Sequence, residues 1–157
     1  MKKWIFGILI VIAAFITYGV HVYNTTMNGK LQTESKSVQT AKEKAKLTKI
    51  TSVDYYHGIT ASYEVVQGTD NKGEQWIVWV PDKEGKVLTK KKSEGISEKE
   101  AMQIVAKNGN PKELVKVKLG AENNVPIWEV TYIDQENHYN YYYMEFANGD
   151  FWRRYSI

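Results

Sequence analysis

The chain has 157 residues, 21 Lys+Arg against 18 Asp+Glu, 13% aromatic residues and no cysteine. The lack of cysteine excludes disulfides, thiolate metal sites and thiol nucleophiles together. With Lys2 and Lys3 set aside, the 21 basic residues become 19 against 18 acidic ones, so the remainder has no long-range field of the kind that gathers nucleic acid.

The first predicted element is Trp4 to Tyr23, a run without Asp, Glu, Lys or Arg. It has the ~20 residues that a helix needs to cross a bilayer, where backbone amides can bond only to one another. Lys2 and Lys3 precede it, so residues 1–3 are expected in the cytoplasm and everything after Tyr23 outside, as a single-pass protein of the cell membrane. The membrane is therefore the first expected partner. A cleaved signal peptide is the alternative reading, with Thr17-Tyr18-Gly19 as its cleavage site, but the apolar character continues past it through Val20, Val22 and Tyr23.

Residues 24–30 read as a linker. A helix is predicted over Leu31 to Lys46, where Leu31, Val38 and Ala45 recur at heptad spacing with Ala41 beside them, a thin stripe suited to lying on something larger. The period then changes to two. Val53–Tyr56, Ser62–Val66, Gln75–Val80 and Val87–Lys90 read as strands separated by Gly, Asn and Asp turns. After Lys90–Gly95, Ser97-Glu98-Lys99-Glu100 forms the capping box of a second helix, which Asn108-Gly109-Asn110-Pro111 ends. Strands follow at Leu114–Leu119, Ile127–Ile133, Tyr139–Phe146 and Phe151–Tyr155, the last two joined by Asn148-Gly149.

Both halves thus read as a helix followed by four strands. Ser62-Tyr63-Glu64-Val65 aligns with Ile127-Trp128-Glu129-Val130, an offset of 65. The expected fold is α+β: a transmembrane helix over 4–23, a linker over 24–30, and two tandem modules over 31–92 and 93–157, each a helix packed on an antiparallel sheet.

The segments SEKEAMQIVAKNG, VKVKLG, PIWEV and NGDFW resemble the PepSY pattern over residues 96–157; residues 31–92 follow through the repeat, with Tyr63 in the place of the Trp. The complete arrangement resembles the TseB/YpmB-like proteins of Gram-positive bacteria, which are cell-wall elongation regulators. That resemblance implies a cystatin-like fold for each module and an accessory role beside penicillin-binding proteins.

Candidate chemistry is sparse. His21, His57 and His138 are scattered without an H-x-x-x-H pair, so no metal and no cofactor are expected. Asp134 to His138 reads as a hairpin turn rather than a calcium loop. Glu64 and Glu129 share the offset of 65 and read as a fold position, with Lys116 and Lys118 on the polar face of a strand beside Glu129. No G-x-S-x-G, S-x-x-K, Walker or G-x-G-x-x-G motif is present, and no enzyme is expected.

The aromatic rows carry the better signal. The rows Trp128, Val130, Tyr132 and Tyr142, Met144, Phe146 are assigned to the helix-covered core. Tyr139, Tyr141 and Tyr143 then face outward, with Trp76, Val78 and Val80 as the matching row of the first module. Trp76, Tyr139, Tyr141 and Tyr143 are the candidate partner-binding residues, since exposed aromatic patches mark contacts. The alternative is that these rows pack the two modules together. Arg153 and Arg154 lie among Phe151, Trp152 and Tyr155, yet near-neutral charge and an outer location speak against nucleic acid. The expected function is that of a membrane-anchored, non-enzymatic interaction protein binding a penicillin-binding protein. The alternatives are a PepSY-type protease inhibitor or regulator and a peptidoglycan-binding module.

Overall fold

The structure, a computed structural model, describes residues 12, 14–23 and 36–157. The chain divides into two compact units, Met1–Lys36 and Ser37–Ile157. In the first, residues 14–23 are helical. Residues 4–11 and 13 of the expected membrane span lie outside the described residues, as do residues 1–3, the linker 24–30 and residues 31–35 of the next expected helix. Among the described residues no helix is long and apolar enough to cross a membrane.

The second unit contains all eight strands of the described chain. Helix α1 (residues 36–45) buries Ser37, Ala41 and Ala45, spaced by four on one narrow face. Small side chains there let the helix lie close against the sheet. Lys46 ends it at φ 53, the left-handed conformation usual just past a helix. Strands β1 (Leu47–His57), β2 (Ser62–Asp70), β3 (Gln75–Pro81) and β4 (Leu88–Lys91) then form an antiparallel sheet in chain order. Strand β1 starts six residues before the expected Val53; the segment from Leu47 to Ser52 is accommodated by two register shifts.

A short 3-10 turn at Lys92–Glu94 leads to α2 (Glu98–Asn108). The Ser97 hydroxyl accepts from the Glu100 amide at 3.2 Å, and the Glu100 carboxylate accepts from the Ser97 amide at 2.7 Å. The capping box expected from the sequence is therefore formed. Strands β5 (Glu113–Glu122), β6 (Val125–Ile133), β7 (Tyr139–Glu145) and β8 (Phe151–Ser156) make a second antiparallel sheet, again in chain order. Its β5–β6 turn places Asn123 and Asn124 at φ 50 and 63, as a tight hairpin requires.

The registers fix the relation between the halves. Val53, Val66 and Val78 stand side by side across β1, β2 and β3, and Val117, Val130 and Tyr142 do so across β5, β6 and β7. The differences, 117 less 53, 130 less 66 and 142 less 78, are all 64. The turns agree: Asp70 accepts from the amides of Lys72 and Glu74 and from Trp76 Nε1, while Asp134 accepts from the amides of Glu136 and His138 and from Asn140 Nδ2. The offset is thus 64 rather than 65, and one residue inverts every side chain across a strand. Trp76, Val78 and Val80 accordingly pack with α1, not on the opposite face, and Glu64 corresponds to Trp128 rather than to Glu129.

The first sheet has no solvent face along its centre. Val66 and Val78 lie under α1, while Tyr63, Val65, Ile77 and Trp79 enter a core shared with Leu119, Ile127, Trp128 and Phe146 of the second half. Phe146 stands between Trp79 and Trp128, with ring centroids 5.7 and 6.4 Å away. Burial on both faces is why Val65-Val66 and Ile77-Val78-Trp79 are unbroken apolar runs. Each large side chain removed from water there contributes about 1.5–3 kcal/mol.

Candidate functional site

Opposite α2, the second sheet presents Glu129, Thr131 and Ile133 of β6, Tyr139, Tyr141 and Tyr143 of β7, and Arg153 and Tyr155 of β8. Ile133 pairs with Tyr139, Tyr141 with Tyr155 and Tyr143 with Arg153. One end of this face is closed by the first half. Gly120 lies so near Tyr56 that a Cβ there would sit 2.5 Å from the ring, so only glycine fits under the tyrosine.

Beside it is Glu122, 2% exposed. Its carboxylate accepts from Tyr56 Oη at 3.0 Å, the Ile59 amide at 2.9 Å, Thr60 Oγ1 at 3.1 Å and Arg153 Nη2 at 3.2 Å. Three of these donors come from β1 and the loop that follows it, so a side chain of the second sheet ties down the hairpin of the first. Burial alone would raise the Glu122 carboxyl, but the Ile59 amide, the Tyr56 and Thr60 hydroxyls and the Arg153 charge outweigh it and hold the group below its ordinary range. Tyr56 is pushed up by burial and by the facing Glu122 charge, and stays a phenol. A carboxylate saturated by four donors is a fastener, not a general base.

Arg153 lies 4.7 Å from the centroid of Tyr143 and 5.3 Å from that of Tyr155. The guanidinium thus bridges the Glu122 cluster and the aromatic face, and its Nε is buried without a hydrogen-bond partner. Tyr143 is 9% exposed; burial and the charge of the facing Glu129 carboxylate push its pKa up.

The four residues singled out by sequence therefore separate. Tyr139 is open to solvent at 44%, Tyr141 is half-buried against the core, and Tyr143, expected outward, is packed between the halves. Trp76 lies apart on the α1 side of the first sheet, half-buried, its Nε1 donating to Asp70 at 3.1 Å and Lys91 Nζ 5.5 Å from its ring. Sequence reasoning missed Tyr155 and Ile157, which extend the open end at 47% and 76% exposure, and it missed Glu122 entirely. The alternation Arg153, Tyr155, Ile157 after Asn148-Gly149 is the signal that places the first two on this face. Ile157 exchanges both backbone hydrogen bonds with Tyr139.

Elsewhere, His57 Nδ1 and Ser62 Oγ lie 2.9 Å apart, but they are neighbours across the end of a hairpin, and no carboxylate is bonded to the other ring nitrogen among the described residues. The pair has no orienting third group of the kind that activates a serine.

Residues 36–81, α1 to β3, match the family described as the cell wall elongation regulator TseB-like domain. Over 146 residues, 92% of this chain and 89% of the relative, the sequence is 37% identical to the curated protein named "Probable cell wall elongation regulator TseB" of Bacillus subtilis (strain 168). The solved structure of the YpmB protein from Bacillus subtilis matches with a TM-score of 0.74 at 37% identity, covering 79% of this chain and 97% of that one.

Proposed function

The chain belongs to the TseB-like family of cell wall elongation regulators, and from that premise we propose that it is a non-enzymatic adaptor, tethered to the membrane by Trp4 to Tyr23, that binds a penicillin-binding protein outside the cell. Its two halves act as PepSY-like, cystatin-like modules fastened together, and the second presents the binding surface. The observation that carries this reading is the open end of the aromatic face: Tyr139, Tyr155 and Ile157 are exposed beside half-buried Tyr141, on a sheet whose other end is rigidly held by Glu122 and Arg153. Aromatic side chains on a fixed platform are the usual anchors of protein interfaces, where truncation costs upwards of ~2 kcal/mol. The charge-free run and the preceding Lys2 and Lys3 support the tether and its orientation.

The test is recovery of partners from membranes with the tagged full-length chain, compared with the Tyr139→Ser/Tyr155→Ser variant. A penicillin-binding protein should be recovered with the wild type and fall about tenfold with the variant. The variant's melting temperature should drop only by the few degrees that the contacts of Tyr155 with Arg153 and Tyr143 account for. Recovery of a peptidase instead, or equal recovery with both chains, would overturn the reading.

A further inference from the structure

A cleft of about 410 Å³ opens between the halves, along the β5 edge of the second sheet. Its walls are Asp54 and Tyr55 of β1, Gln67 of β2 and Ile77 of β3 on one side, and β5 with the start of α2 on the other. That volume is in the range of sites for small molecules. Four lysines line it: Lys92, Lys99, Lys116 and Lys118. The carboxylates facing them are Asp54 and Glu98, so the lining carries a net charge of plus two, four less two.

Among the described residues none of these four lysines has an ion-pair partner; the paired ones are their neighbours Lys90 and Lys91, on Glu94 and Glu74. Lys118 stands directly across from Glu129, whose charge lies outside the lining and forms no ion pair with it. The positive end of the α2 dipole adds to the field, with Ser97, Glu98 and Lys99 at the rim. Ile77, Leu119 and Trp128 contribute an apolar floor.

We propose that this cleft binds a phosphate-bearing anion of at least two charges, a diphosphate or a phosphodiester repeat, held by Lys92, Lys99, Lys116 and Lys118. Lysine ammonium groups are flexible point charges that suit several phosphate oxygens at once. With four ammonium groups against two carboxylates, the net plus two of the lining attracts a doubly charged anion more strongly than a singly charged one. The site goes beyond the protein contact proposed above and uses none of its residues.

The experiment is calorimetric titration of the full-length chain, in nanodiscs of neutral phosphatidylcholine, with tripolyphosphate. Saturable one-to-one binding that weakens as salt rises is expected. Lys116→Gln/Lys118→Gln should weaken it by about tenfold or more, the loss of two charge-assisted contacts, whereas Lys42→Gln/Lys44→Gln on the exposed side of α1 should leave it unchanged. If the strand variant fails to fold, Lys92→Gln/Lys99→Gln serves in its place. Repeating the titration in nanodiscs containing cardiolipin, whose headgroup carries two phosphates, separates the sources: competition assigns the cleft to a lipid headgroup, and undiminished binding assigns it to a soluble phosphate. No saturable binding to the wild type, or equal weakening by the α1 pair, overturns the proposal.

Discussion

Glu122 shows how much one buried carboxylate is asked to hold. It draws donors from Tyr56, Ile59 and Thr60 of one sheet and Arg153 of the other, and each would be left unpaired without it. Removing one member of a buried charge pair commonly costs about 3–5 kcal/mol. Glu122→Gln, which keeps the shape and one acceptor, is expected to lose about 3 kcal/mol in urea unfolding. Because the folded pKa is lowered, this stabilisation is fully present above the ordinary carboxylate value of 4.5 and is lost as pH falls through the lower folded value. Asp70, Glu94, Glu100 and Asp134 are lowered too, so the wild type should weaken in acid overall. Glu122→Gln should show a shallower decline between about pH 5 and pH 3, and an unchanged slope there would show that the cluster does not carry the effect.

At the level of elements, α2 is the one whose limits the sequence states most directly. Ser97 and Glu100 satisfy each other's amides, and Gly109 donates back to Val105 at 2.7 Å. Ser97→Ala is expected to cost about 1 kcal/mol and to increase hydrogen exchange in the first turn of α2 without disturbing the strands. The strands are legible in kind, and the faces of the second sheet are as expected, with Trp128, Val130, Tyr132 and Tyr142, Met144, Phe146 toward α2. Only the first sheet's row of Trp76, Val78 and Val80 is inverted. Tyr, Trp and Val occur on both sides of β2 and β3, so periodicity alone does not say which side meets a helix there. The alignment of Ser62-Tyr63-Glu64-Val65 on Ile127-Trp128-Glu129-Val130, one residue off, carries the wrong face across. The Asx turns at Asp70 and Asp134 hold the true offset, but their equivalence shows only once the hydrogen bonds are drawn. Glu122 was illegible because nothing local marks it: its partners lie 62 to 66 residues earlier or 31 later.

Across the whole of Ser37–Ile157, the two sheets share the larger core, and the α1 face of the first sheet closes a smaller one beside it. Trp79, fully buried, belongs to the first sheet and packs on Phe146 of the second half. Trp79→Ala should therefore cost about 3–5 kcal/mol and shift a single calorimetric transition, lowering protection in both sheets together. Two separated transitions would mean that the halves fold independently. This common rigidity fixes the open aromatic end with respect to the rest of the unit. The proposed contact of Tyr139 and Tyr155 with a cell-wall synthesis enzyme is tested by photocrosslinking in growing cells with a photoreactive residue in place of Tyr155 of the full-length chain. A crosslink to a penicillin-binding protein is expected from that position, and none from a probe in place of Lys42. Equal crosslinking from both positions, or none to any synthesis enzyme from position 155, would contradict it.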